Sequence, residues 1–170
     1  MSNKNNHFQA VLNVKRFSVI AFFLAVSACS FGTPSYSKVF LFEPGKKSLE
    51  INVDQYCTYE IGVSFASEMG GQAIKSIFGH ARQVRLPATV DLALFNASGK
   101  LSFSVSNVGG PMLAYRYGPN PLQLIFGKAY LEPGVYVAII DIKLAGESLS
   151  ELESKLFLAV DPKTTCKKAA

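Results

Sequence analysis

Gln55-Tyr56-Cys57-Thr58-Tyr59-Glu60-Ile61-Gly62-Val63-Ser64-Phe65-Ala66 is the stretch whose reading decides the fold. Cys57, Tyr59, Ile61, Val63 and Phe65 fall on one side of an extended chain. Thr58, Glu60, Gly62 and Ser64 fall on the other. Strand side chains alternate with a period of two, so this is a half-buried β-strand with Cys57 on its apolar face.

Similar segments lie on both sides of it. Upstream, residues 38–42 form a compact apolar run, the turn Glu43-Pro44-Gly45-Lys46 follows, and residues 48–53 make a second strand. Downstream, residues 67–81 break the pattern. Gly70-Gly71 precedes Ile74, Ile77 and Phe78, whose spacing of three and four predicts one short helix. Strands resume at 90–95 and 100–107, joined by the turn Asn96-Ala97-Ser98-Gly99. Gly109-Gly110-Pro111 separates off a strand at 112–117, and Gly118-Pro119-Asn120-Pro121 enforces a turn before 122–126. Leu131-Glu132-Pro133-Gly134 is a further turn. Residues 135–144 are the longest apolar run and the expected central strand, and 151–160 is the last strand before Asp161-Pro162. About eight short strands with frequent turns and no βαβ alternation predict an all-β fold, an antiparallel β-sandwich with one short helix.

The stretch Tyr130-Leu131-Glu132-Pro133-Gly134-Val135-Tyr136-Val137 is similar to the last hairpin of immunoglobulin-like and jelly-roll modules. There a Pro-Gly turn launches a strand whose aromatic residue anchors the core. The similarity implies architecture and no activity.

The N-terminus has the layout of an export signal. Lys4, Lys15 and Arg16 are basic, and no acidic residue precedes Glu43. The apolar run from Phe17 to Ala28, FSVIAFFLAVSA, is 12 residues long. That is short of the ~20 a permanent membrane span needs and suits a signal segment. The run ends Val26-Ser27-Ala28-Cys29, which resembles the lipobox of bacterial lipoproteins. The resemblance implies cleavage after Ala28, diacylglyceryl transfer to the Cys29 thiol and acylation (a palmitate-type chain) of the new amine. Ser30, where that family's inner-membrane retention signal has aspartate, implies the outer membrane; of its two sides the periplasmic one is expected over the external one. The expected organisation is a signal peptide at 1–28, a lipidated tether at 29–37, a sandwich domain at 38–166 and a basic tail at 167–170. The tether, SFGTPSYS after Cys29, reaches under about 30 Å, so the domain must work close to lipid. As a whole the chain resembles small uncharacterised β-sandwich lipoprotein domains of proteobacteria.

The formal charge of +5 includes the three basic residues of the leader. After residue 28 the chain carries 14 basic and 12 acidic side chains. A nucleic-acid partner is not expected, since phosphate binding needs a concentrated basic stripe. With Cys29 acylated, Cys57 and Cys166 remain as an even pair in an oxidising compartment, and a disulfide between them is expected.

Reactive groups are sparse. The exported region has one histidine, His80, beside Arg82 and Arg85, and it reads as a loop residue. There is no Gly-x-Ser-x-Gly elbow, no clustered metal ligands and no phosphate-cradling loop. Glu60 with Glu68, or Asp91 with Asp141, are the carboxylate pairs a glycosidase would need, but their strand positions suggest structural roles. Asp141 interrupts an apolar run, with Arg116 or Lys155 as its expected partner. No enzyme activity, cofactor or metal is expected. The leading candidate for binding is Tyr115-Arg116-Tyr117, because Tyr and Arg beside a rigid turn are presented at low entropic cost. The sequence therefore points to a membrane-anchored, non-enzymatic module binding another envelope protein, in an assembly, inhibitor or immunity-type role. The alternative is a carbohydrate- or lipid-binding module of the envelope.

Overall fold

The computed structural model describes residues 36–80, 82–112, 114–117 and 121–168. The signal segment, Cys29 and the tether up to residue 35 lie outside the described residues. So do Gly118, Pro119 and Asn120 of the predicted turn and the last two residues of the basic tail.

Ten strands, one α-helix and a single 3-10 turn at Glu147–Leu149 are present among them. In chain order the strands and the α-helix are β1 (Tyr36–Phe40), β2 (Gly45–Val53), β3 (Gln55–Ala66), α1 (Gly71–Phe78), β4 (Arg85–Asn96), β5 (Leu101–Pro111), β6 (Tyr115–Tyr117), β7 (Leu122–Leu131), β8 (Gly134–Ala145), β9 (Glu153–Val160) and β10 (Lys167–Lys168). They make two antiparallel sheets. The first runs β1-β9-β3-β7-β6, with β10 paired to the start of β3; the second runs β2-β8-β4-β5. The chain is an all-β sandwich.

The alternation read in β3 explains its central place. Cys57, Tyr59, Ile61, Val63 and Phe65 are all buried in the inter-sheet core. Facing them from the second sheet are Val90, Leu92 and Leu94 of β4 and Ala138, Ile140 and Ile142 of β8, every one of them at most 1 % exposed. Each large apolar side chain buried this way contributes about 1.5–3 kcal/mol. α1 closes one end of the sandwich. Ile74 and Phe78, four apart and therefore on one helix face, are buried. Phe78 continues a line of rings from Phe42 through Phe65, with centroids 5.0 and 4.8 Å apart.

A disulfide joins Cys57 to Cys166, with Cα atoms 4.6 Å apart. It fastens the segment after β9 to the start of β3, where Lys167 and Lys168 pair with Tyr56 and Gln55.

Several boundaries differ from the sequence reading. β1 begins at Tyr36, inside the stretch assigned to the tether. β4 starts at Arg85 rather than 90, since Leu86 and Ala88 already alternate inward. Pro87 is tolerated there because β8 pairing begins only at Ala88 and the β5 ladder skips it. Gly109-Gly110-Pro111, read as a separator, lies inside β5. A Cβ at Gly109 would sit 2.1 Å from the Ala88 carbonyl oxygen, so glycine permits this close pairing. The stretch around Pro133-Gly134 is not a hairpin within one sheet. β7 belongs to the first sheet and β8 to the second, so the turn carries the chain between layers. Tyr136 fixes that corner: its ring is buried, and its hydroxyl donates to the Glu132 carbonyl at 3.0 Å and accepts the Glu132 N–H at 3.2 Å.

Candidate functional site

Antiparallel sheets with one solvated face place apolar residues inward and polar residues outward. The second sheet departs from this rule on its outer face. In β8 the inward set is Tyr136, Ala138, Ile140 and Ile142, and the outward set begins Val135, Val137, Ile139. Those three are 42 %, 37 % and 37 % exposed. Register extends the apolar surface sideways. Ile139 pairs with Ala93 and Val137 with Phe95 of β4, and Phe95 pairs in turn with Leu101 of β5, which is 50 % exposed. Six apolar side chains on three adjacent strands thus form one surface.

Its surround is polar. On the β2 side, Asn52, Glu50 and Ser48 stand opposite Val135, Val137 and Ile139. At one end, Asp91 and Asp141 face each other across β4 and β8. Lys143 lies 2.8 Å from Asp91 and 3.1 Å from the Asn107 side-chain oxygen, and the Asn107 N–H donates to Asp91 at 2.7 Å. The Lys143 ammonium, helped by the Asn107 N–H, holds the Asp91 carboxyl below the usual carboxylate range. An apolar centre with a polar rim is the anatomy of a protein-binding surface. Four strands about 4.8 Å apart and about 30–40 Å long give a face of roughly 700 Å². That is close to the ~800 Å² each partner contributes to a standard interface.

The sequence-predicted binding residues lie elsewhere, on the edge strand β6. Tyr115 pairs with Leu124 and packs against the core. Arg116 points outward, where its guanidinium is ion-paired with buried Glu60 of β3 and lies 3.5 Å from the Gln123 side-chain oxygen. Tyr117 pairs with Leu122. Glu60 also lies 3.2 Å from the Lys128 ammonium, which is 2.8 Å from Asp161. The hydrogen bond from Lys128, with a second from the Lys163 N–H, holds the Asp161 carboxyl below its ordinary value. The same contacts with Asp161 and Glu60 raise Lys128. Arg116 is therefore part of an ion-pair network that joins β6, β3, β7 and the segment after β9. Tyr130, 61 % exposed on β7, pairs with Thr58 of β3. It lies six residues from Leu124, the partner of Tyr115, about 20 Å along the strand. The two rings do not share a groove.

The remaining candidates also separate. Glu60 is buried among cations, whereas Glu68 is exposed in the turn after β3. Asp141 sits on the outer face of the second sheet opposite Lys46. Its expected partners are engaged with other carboxylates, Arg116 with Glu60 and Lys155 with Glu153 at 2.9 Å. His80 is exposed after α1, and its carbonyl accepts the Gln83 N–H at 2.8 Å. Among the described residues, no group of three or more His, Cys, Asp or Glu is placed to hold a metal ion.

The outer apolar surface was missed because residues 135–144 read as one apolar run. A parity check finds it. Asp141 and Lys143 share the odd-numbered positions with Val135, Val137 and Ile139, so those three must stand on the solvent side.

No protein-family profile matches the chain, and no curated protein matches it. A solved structure does: the crystal structure of GEBA250068378 from Sulfurospirillum deleyianum. It is 11 % identical, covers 75 % of this chain and 98 % of its own, and superposes with a TM-score of 0.51. The likeness is one of fold.

Proposed function

We propose that this chain is a lipid-anchored envelope module that binds another protein through the outer face of its β2-β8-β4-β5 sheet. The anchor is Cys29 and the membrane is the outer one, as the lipobox resemblance and Ser30 imply, and the domain works on its periplasmic side. The observation that carries the binding reading is the row Val135, Val137 and Ile139, left exposed beside Phe95 and Leu101 on a face where alternation calls for polar residues. Such a patch costs solubility in a lone protein and gives a partner a desolvated centre to pack against. The partner presents a flat, largely apolar surface of its own, with polar groups that meet Glu50, Asn52, Asp91 and Lys143. An assembly factor or an inhibitor of an envelope enzyme fits this description.

The test is site-specific photo-crosslinking in the native cell. A photoreactive residue at Val137 should give one discrete higher-mass adduct, which Ile139→Glu abolishes. The same residue at Lys163, which follows Asp161 beside β3 and β7 of the other sheet, should give none. Equal labelling from both positions, or an adduct indifferent to Ile139→Glu, would refute the assignment of this face.

A further inference from the structure

The four large apolar side chains most exposed to solvent among the described residues, leaving Tyr130 aside, are Met69 at 79 %, Leu144 at 69 %, Leu41 at 65 % and Val39 at 57 %. They come from three separate parts of the chain, and register brings them to one end of the sandwich. Phe40 pairs with Ser154, and Ser154 pairs with Phe65 at the end of β3. Leu41 therefore follows on from the level of Phe65, and Met69 lies in the turn just beyond it. On the second sheet Gly45 pairs with Ile142, so Leu144 extends past the last core residue of β8 at the same end. The turns of the opposite end are polar, Asp54, Asn96 to Lys100, Glu132, and Asp161 to Thr164, and the exposed apolar residues nearest them, Leu101, Val135 and Tyr130, stand on strands.

From this clustering we infer that the end carrying Leu41, Met69 and Leu144 rests on a lipid bilayer, dipping these side chains into the headgroup boundary. The inference rests on the anchoring of Cys29 proposed above and deepens it by fixing which end of the domain faces the membrane. Cys29 stands seven residues before Tyr36, a reach of about 23 Å. From Tyr36 down β1 to Leu41 is five residues, about 17 Å. The lipidated cysteine can thus lie in the same plane as the apolar tips. The tether alone would also allow the polar end to face lipid, and the side chains decide between the two. Single Leu and Met residues presented at the tips of separate elements suit a soft apolar surface better than a pocketed protein. Glu153 is paired with Lys155 at 2.9 Å, and Glu43, Glu68 and Glu151 share this end with Lys46, Lys75 and Arg85, so the charge is balanced and the fit is to zwitterionic rather than strongly anionic headgroups.

The chain contains no tryptophan, which makes the test direct. Leu41→Trp, Met69→Trp and Leu144→Trp each place one fluorophore at an exposed position where packing is not disturbed. Leu101→Trp, on the outer face of the second sheet, is the control. Each mature protein is reconstituted into phosphatidylethanolamine vesicles carrying bromine-labelled acyl chains, with and without phosphatidylglycerol. Expected are a blue-shifted emission and loss of intensity to bromine for positions 41, 69 and 144, little change for 101, and no dependence on phosphatidylglycerol. Protein that sediments with the vesicles while all four probes behave alike overturns this orientation and leaves the anchor standing. A blue shift without bromine quenching, the mark of a covering protein or second copy, also overturns it. Protein that does not sediment at all defeats the anchor and the orientation together.

Discussion

Breaking the bond between Cys57 and Cys166 tests the argument that this fold is held largely through its unfolded state. The two cysteines are 109 residues apart, and the second stands near the end of the domain, so the bond closes everything from β3 to the segment after β9 into one loop. The chain-entropy relation gives about 4.7 kcal/mol for a loop of that size. At about 3.5 °C of melting temperature per kcal/mol for a domain of this length, reduction should lower Tm by about 16 °C. Cys166→Ala should reproduce the effect, because the remaining Cys57 thiol behaves as a small buried apolar group. The assay is urea unfolding and refolding of oxidised protein, reduced protein and the variant. If the constraint acts on the unfolded ensemble, refolding slows and unfolding changes little, while the urea slope rises because the released chain exposes more surface. A fall in Tm of less than about 4 °C, or a loss lying wholly in faster unfolding, would refute the reasoning. The second result would mean that the bond matters mainly by docking Lys167 and Lys168 onto β3.

Gly62→Ala should destabilise strongly, because a Cβ there would stand 1.9 Å from the Leu124 carbonyl oxygen at the β3–β7 bulge; denaturant titration should give a loss of about 3 kcal/mol or more. Tyr136→Phe keeps the buried ring and removes the hydroxyl from Glu132, so the same titration should show about 1–2 kcal/mol lost with an unchanged slope. Asp91 and Asp161 both have folded pKa values below the ordinary 3.8. Their stabilising effect is complete above that value and is lost as pH falls through the lowered folded values; Asp161→Asn should therefore flatten the acid limb of a Tm-against-pH curve. Lys128, raised above 10.5, contributes fully below that value, and its contribution fades as pH rises past its raised folded value; Lys128→Met should remove that part of the alkaline limb.

The core was legible because the apolar residues of β3 follow the period of two that an extended strand imposes. The disulfide followed from parity, since one of three cysteines was assigned to lipid. Sheet membership was not legible. Pro133-Gly134 dictates a reversal of direction, but only the packing of Tyr136 decides that the chain crosses to the other layer. Glycines misled in one place. Gly109 and Gly110 read as a break, whereas Gly109 is there to let β5 approach β4. The candidate site was misplaced for a related reason. Arg116 has the chemistry of an interface anchor, and nothing in the sequence says that Glu60, 56 residues earlier, already holds its guanidinium. The outer surface of the second sheet was visible only by asking which residues share a parity with Asp141.

All of the functional reading depends on where the protein sits, and the mass of its mature N-terminal peptide measures that most directly. The expected peptide begins at Cys29 and is heavier than its sequence by a diacylglyceryl group and one further acyl chain. A peptide that retains residues before Cys29, or one that begins at Cys29 with a bare thiol, would contradict it.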